Sequence, residues 1–237
     1  MISNGKFYES QFEEATIELL REAHWQYAFG DDIHRKYTDP LIEEDLRNFL
    51  TVQYKDKNLT TSEMDSIVAN LRNTGGQNDY YALRNAFLLY RDGYDFAYSD
   101  GRDNPFRLEY IDFEHPDHNI FRCVNQFVME QGRENRRPDI LLFINGIPVC
   151  IIELKNPTKQ NATIHDAHTQ ICTRYMRDIP ALLKYCALAV ISDGAKNALG
   201  TTYTPFEFFY EWKKIENEDK AGKGLDTLRT LIRGALS

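Results

Sequence analysis

The sequence predicts an α/β or α+β fold in which a mixed β-sheet is flanked by helices and preceded by an N-terminal helical region. Three observations predict it. The hydrophobic period is helical over the first ninety residues, changes to alternation after Gly93, and then gives a strand, helix, strand succession between about residues 147 and 192. A length of 237 residues with 42% hydrophobic and 13% aromatic content fills a sizeable core and excludes disorder as the main state.

Phe12, Ala15, Ile17, Leu19, Leu20 and Ala23 recur at helical spacing, predicting a first helix from about Glu9 to Phe29. Asp39-Pro40 opens DPLIEEDLRNFLTVQY, where proline suits a first turn and acids favour the helix dipole. Thr60-Thr61-Ser62-Glu63 fits a capping box before a third helix that ends near Gly75-Gly76, and NDYYALRNAFLLYRDG is a fourth. After Gly93 the segments YDFAYS, FRLEYIDF, NIFRCVNQFVMEQ, DILLFI and IPVCIIELK read as strands separated by polar turns. A helix over about Thr163–Tyr185 follows Asn156-Pro157, CALAVIS is a buried strand, TTYTPFEFFYEW is a further strand candidate, and LDTLRTLIRGAL closes the chain as a helix. The expected division is a helical region over 1–92, a core over 93–200 and a strand and helix extension over 201–237.

The formal charge of −8 argues against a uniformly basic, nucleic-acid-binding coat. Its distribution changes the inference. Residues 1–100 hold 10 basic and 18 acidic residues, whereas residues 118–187 hold 9 basic and 6 acidic. The four cysteines form no CxxC pair, which suits a reducing compartment, and no stretch approaches the roughly 20 apolar residues of a membrane helix. With no apolar leader at the N-terminus, a cytoplasmic protein with no membrane partner is expected.

The chemistry concentrates in RRPDILLFINGIPVCIIELKNP, residues 136–157. Asn145-Gly146 between two apolar runs signals a hairpin. With a two-residue loop Asp139 falls opposite position 152. One additional residue brings it opposite Glu153 on the same face, so a three-residue loop, a bulge or local splaying is predicted. Glu153 and Lys155 share a face because strand side chains alternate. Two acids and a lysine at the end of an apolar hairpin are costly to bury unless a cation pairs them. Hard oxygens from Asp139 and Glu153, with the backbone carbonyl of Leu154, suit Mg²⁺. Such a metal activates water and neutralises phosphate charge while Lys155 orients the water or steadies developing charge, which points to phosphodiester hydrolysis. Acid-x-Lys also occurs at Glu211-Trp212-Lys213 and Glu218-Asp219-Lys220, and only the first copy has the strand context.

Here the chain resembles the PD-(D/E)xK nuclease superfamily and, within it, the N-terminal domain of the R (restriction) subunit of type I restriction-modification enzymes. Phe12-Glu13-Glu14-Ala15, Leu108-Glu109-Tyr110-Ile111-Asp112-Phe113, Val124-Asn125-Gln126-Phe127, Arg177-Asp178-Ile179-Pro180 and Ile191-Ser192-Asp193-Gly194 resemble family blocks, so the likeness spans about residues 7–200. The resemblance implies a restriction-endonuclease-like core and assigns Asp139, Glu153 and Lys155 to metal binding and hydrolysis of double-stranded DNA, leaving 3′-hydroxyl and 5′-phosphate ends. It adds a Gln-x-x-x-Tyr helix that supports the site and contacts DNA. This sequence departs from that motif, because Gln170 and Tyr175 are separated by four residues. Five helical steps turn through about 140° and four through about 40°, so either a π-bulge aims Tyr175 at the site or Arg174 shares the Gln170 face. Tyr175 as a plain core aromatic is the alternative.

An acid on the first helix approaches the metal in related nucleases, which makes Glu14 or Glu13 a candidate by resemblance. Arg133, Arg136 and Arg137 are placed to meet DNA phosphates or form a solvated turn. His165 and His168 read as surface or DNA-proximal residues and not as zinc ligands. The resemblance further implies methyltransferase (modification) and specificity subunits as partners and an ATP-driven translocase. These residues contain no G-x-x-x-x-G-K-[ST] loop, so ATP is expected to belong to motor domains outside this chain. A catalytically inactive nuclease-fold module that binds DNA or partner subunits is the competing expectation.

Overall fold

A computed structural model describes residues 9–155, 163–215 and 225–236. Helix α1 spans Glu9–Glu22 and strand β1 spans Gln26–Phe29. The single long helix expected to Phe29 is therefore two elements. His24 adopts φ +70, with Trp25 N–H donating to Leu20 O and His24 N–H to Arg21 O, the paired bonds of a Schellman cap. The chain beyond is free to add in parallel to a core strand.

Helices α2 (Glu43–Gln53), α3 (Thr61–Arg72) and α4 (Asp79–Asp92) follow. Pro40 precedes α2 by three residues and is not in its first turn. Thr60 and Glu63 close the capping box of α3, and Asn78 caps α4. Strands β2 (Tyr94–Phe96) and β3 (Phe106–Leu108) form a separate antiparallel pair whose Phe96 and Leu108 pack into the cluster built by α2, α3 and α4.

Strands β4 (Phe121–Asn125), β5 (Met129–Gln131), β6 (Glu134–Arg136), β7 (Ile140–Ile144) and β8 (Ile147–Leu154) come next. After them lie α5 (Ile164–Thr169), a π-helical segment (Gln170–Tyr175), α6 (Met176–Asp178) and α7 (Pro180–Leu183), then β9 (Leu188–Ser192), β10 (Asn197–Gly200) and α8 (Leu225–Ala235). Asn156-Pro157 lie outside the described residues. The six-stranded sheet runs β1-β4-β7-β8-β9-β10, with β1–β4 and β8–β9 parallel and the other pairs antiparallel, so the sheet is mixed as expected. Its last strand is Asn197–Gly200. The aromatic stretch that follows instead forms a 3₁₀ turn at Phe206–Phe208 and a lone bridge from Tyr210 to Leu199. Threonines and aromatics suit a strand by propensity, but Pro205 interrupts this one.

Alternation decides what each sheet face meets. Leu141, Phe143, Ile151, Ala189 and Ile191 pack under α5, the π segment and α7, while Ile140, Leu142, Cys150, Ile152 and Val190 pack under α1 and α8. On the second face Trp25 Nε1 donates to Leu236 O at 2.6 Å, joining the end of α1 to the end of α8. The buried Asp45 of α2 receives both Nε and Nη2 of Arg122 on β4, at 2.6 and 2.7 Å, and ties the helices to the sheet.

Asn145 and Gly146 turn the β7–β8 hairpin with φ +50 and +76, as a two-residue type I′ loop requires. The turn is buried. Asn145 donates from Nδ2 to Tyr110 O and Asn119 Oδ1 and accepts Ile120 N–H, while Gly146 O accepts Ile42 N–H. A Cβ on Gly146 would collide with the Ile42 carbonyl, whereas one on Gly132, at φ +62, meets nothing. Gly146→Ala is therefore expected to cost at least about 2 kcal/mol and Gly132→Ala nearer 1 kcal/mol, read from urea unfolding midpoints. Equal losses would refute the packing account of the turn.

Candidate active site

Register sets the site. Ile144 pairs Ile147 and Phe143 pairs Pro148, but Leu142 pairs Cys150, leaving Val149 as an extra residue in β8. This is a β-bulge beside a proline that has no N–H to give the ladder. Past the bulge Ile140 pairs Ile152, so position 139 falls opposite 153 and both carboxylates take the face covered by α5 and the π segment.

Asp139 stands just before β7. Its Oδ2 accepts the backbone N–H of Leu154 at 2.7 Å, and its own carbonyl accepts Gln126 N–H at 3.2 Å. Since N–H and C=O of one strand residue point to the same side, the Leu154 carbonyl also faces the Asp139 strand. Glu153 is 1% exposed. Its Oε1 accepts Lys155 Nζ at 2.8 Å, and its Oε2 is buried without a hydrogen-bond partner. Burial, reinforced by the Asp139 charge and opposed by Lys155, pushes the Glu153 carboxyl up to about 8.

Lys155 Nζ continues to Gln170 Oε1 at 2.7 Å, and Gln170 Nε2 donates to the Tyr175 hydroxyl at 2.7 Å. The four-residue interval is accommodated because Gln170–Tyr175 is π-helical, and i→i+5 geometry brings both ends to one face. Tyr175 is 3% exposed and its phenol is raised above its ordinary range, first by burial and then by Glu153. Arg174 points into solvent from the same segment.

The remaining candidates divide. Glu13 accepts from Asn125 Nδ2 at 2.7 Å and from Gln126 Nε2 at 3.0 Å, and Gln126 is the residue whose backbone holds Asp139. Of the two acids on α1, Glu13 is thus the one joined to this strand end, and Glu14 is exposed. Arg136 is engaged by Asp178 and Glu134, at 2.7 and 2.6 Å. Arg133 and Arg137 are exposed and, like Arg174, make no ion pair among the described residues. His168 bonds Thr204 O and packs with His165 around Phe206. Sequence reasoning assigned nothing to Gln126. Its left-handed φ of +54 is a tertiary signal, invisible in a pattern of residue types.

The sequence model of the family described as "Type I restriction enzyme R protein N terminus" matches residues 6–208. The chain is 28% identical over 240 residues to the type I restriction enzyme HindI endonuclease subunit of Haemophilus influenzae, covering 96% of this chain and 22% of that protein. It is 30% identical over 215 residues to the putative type I restriction enzyme MjaIXP endonuclease subunit of Methanocaldococcus jannaschii, covering 87% of this chain and 20% of that one. The chain thus spans about a fifth of the length of these curated relatives.

Without metal, Glu153 carries a proton in the folded state up to about pH 8, whereas its ordinary value is 4.5. The folded state then binds more protons than the unfolded state between those limits. The stability this group contributes is complete below about 4.5 and is lost as pH rises through about 8. In chelator, the unfolding free energy of the wild type relative to Glu153→Gln is expected to decline between about pH 5 and 8 and to level off above that. A difference that stays constant across this window would contradict the burial account.

Proposed function

The chain belongs to the family of type I restriction enzyme R protein N termini, and from this we propose that it is a Mg²⁺-dependent endonuclease module that hydrolyses phosphodiester bonds of double-stranded DNA. One observation carries the reading. The buried Glu153 Oε2 lacks a partner beside Asp139, at the end of a chain of bonds running through Lys155 and Gln170 to Tyr175. An orphaned buried carboxylate oxygen next to a second carboxylate is costly in an apolar sheet and fits a divalent cation.

Asp139, Glu153 Oε2 and the Leu154 carbonyl would hold the ion, an all-oxygen set that suits Mg²⁺. When bound, the metal supplies an activated water and charge neutralisation at the phosphate. The protein's part is positioning. The Leu154 N–H fixes one Asp139 oxygen, and the Gln170 carbonyl oxygen aims the Lys155 ammonium, leaving it able to steady negative charge on the reacting phosphate. Tyr175 in turn orients the Gln170 amide, whose two ends are thereby assigned to Lys155 and Tyr175. Arg133, Arg137 and Arg174 offer guanidinium forks to the DNA backbone. In this reading ATP-driven translocation belongs to residues outside these 237, and site choice belongs to modification and specificity subunits.

Calorimetry with Mg²⁺ or Mn²⁺ should show binding that Asp139→Ala abolishes and Lys155→Met preserves. Cleavage of plasmid DNA should fall by about 10²-fold or more in both variants. Unchanged metal affinity in Asp139→Ala, or full cutting by Lys155→Met, would overturn the assignment. Arg137→Ala and Arg174→Ala should each weaken DNA binding without sequence preference and lower the salt dependence by about one unit of slope. An unaltered slope would remove them from the DNA interface.

A further inference from the structure

The loop between β3 and β4 gathers a second set of metal-ligating side chains, remote from the acidic end of the hairpin. Asp112, His115 and His118 recur every three residues, and one donor atom from each lies within 4.8 Å of the others. The spacing converges because Pro116–His118 is a 3₁₀ turn with His115 as its N-cap, and side chains three apart eclipse in such a turn. The two imidazoles lie 5.0 Å apart between centroids with planes inclined by 14°. Each turns Nδ1 toward the same carboxylate, His118 at 3.0 Å from Oδ2 and His115 at 3.7 Å from Oδ1.

The carboxylate is prearranged. Asp112 is 4% exposed, accepts the backbone N–H groups of Glu114 and His115 on Oδ1, and accepts Gln53 Nε2 on Oδ2. The imidazoles are about half exposed, so small side-chain rotations close the remaining gap. Ligand atoms around a tetrahedral ion stand about 3.3 Å apart, a spacing that lies between the two distances already present, 3.0 and 3.7 Å. Two imidazole nitrogens and one oxygen suit a zinc-class divalent ion and suit Mg²⁺ poorly, since Mg²⁺ takes oxygen ligands.

We propose that Asp112, His115 and His118 form a second cation site that takes an imidazole-preferring divalent transition metal with solvent in its open position. Six steps along the strand separate Asp139 from the Asn145 turn, roughly 20 Å, so this site and the hairpin-end site are distinct. Its consequence is structural. Asp112 N–H donates to Asn119 Oδ1 and Asn119 Nδ2 donates back to Asp112 O, while the same Asn119 Oδ1 accepts from the buried Asn145 amide. An ion on the loop fixes the segment that holds the turn of the β7–β8 hairpin.

The test is Zn²⁺ titration by calorimetry in excess Mg²⁺, using an Asp139→Asn background to silence the hairpin-end carboxylates, with Co²⁺ absorption as a second probe. One saturable equivalent is expected, with a ligand-field spectrum showing nitrogen ligation and a raised melting temperature. Outer partners of metal ligands are worth roughly 10–100-fold in affinity, so His115→Ala and His118→Ala should weaken binding by about a hundredfold or more. Without metal, His115→Ala should melt with the parent, whereas His118→Ala, which loses its 3.0 Å bond to the buried Asp112, should melt slightly lower. His165→Ala and His168→Ala should leave binding unchanged. Absence of saturable Zn²⁺ uptake, or uptake indifferent to His115 and His118, would overturn the site.

Discussion

Whether this chain has a site at all rests on one extra residue in a strand. In an unbroken hairpin from the Asn145-Gly146 turn, Asp139 would face position 152 and Glu153 would point to the other side of the sheet. Val149, bulged opposite Leu142 and Phe143, shifts the pairing by one and moves the end of β8 into step with Asp139. The same shift sends Ile140 and Ile152 together under α1 and α8, and Leu141 and Ile151 together under α5. Apolar packing on both faces therefore enforces the register that the acids need.

The cost of that register falls on Glu153. Its side chain sits inside an apolar layer with one oxygen on Lys155 and the other without a partner. Structural carboxylates elsewhere in the molecule are treated differently. Asp45 is met by two guanidinium nitrogens of Arg122, and Asp178 is met by Arg136 and Arg177. Among the described residues Glu153 is the buried acid left half satisfied, and the proposed cation site rests on that difference.

These pairings also refine the electrostatic picture. The segment around the hairpin carries a basic excess, yet Arg122, Arg136 and Arg177 are spent on internal acids and Lys155 on Glu153. Within that segment, the exposed basic residues without an ion pair come down to Arg133, Arg137 and Arg174 among the described residues. Local charge counts overstate a binding surface when long-range ion pairs consume the arginines.

Much of the fold and half of the site were legible in the residues themselves. The Thr60–Glu63 capping box, the Asn-Gly turn and the apolar alternation are encoded within a few positions, so they name their own helix, hairpin and buried faces, and they bring Asp139, Glu153 and Lys155 to one strand end, with the bulge that aligns them left to the packing. The Gln170–Tyr175 interval likewise required either a π turn or a change of partner, and the structure takes the π turn. What the residues could not decide depends on partners distant in sequence. Gln26–Phe29 reads as helix until β4 supplies its edge, Asn197–Gly200 is a strand because β9 accepts it, and Glu13 reaches the site through Gln126, 113 positions away. Periodicity reports which face a residue turns inward, whereas the neighbour on that face is chosen only when the whole chain has packed.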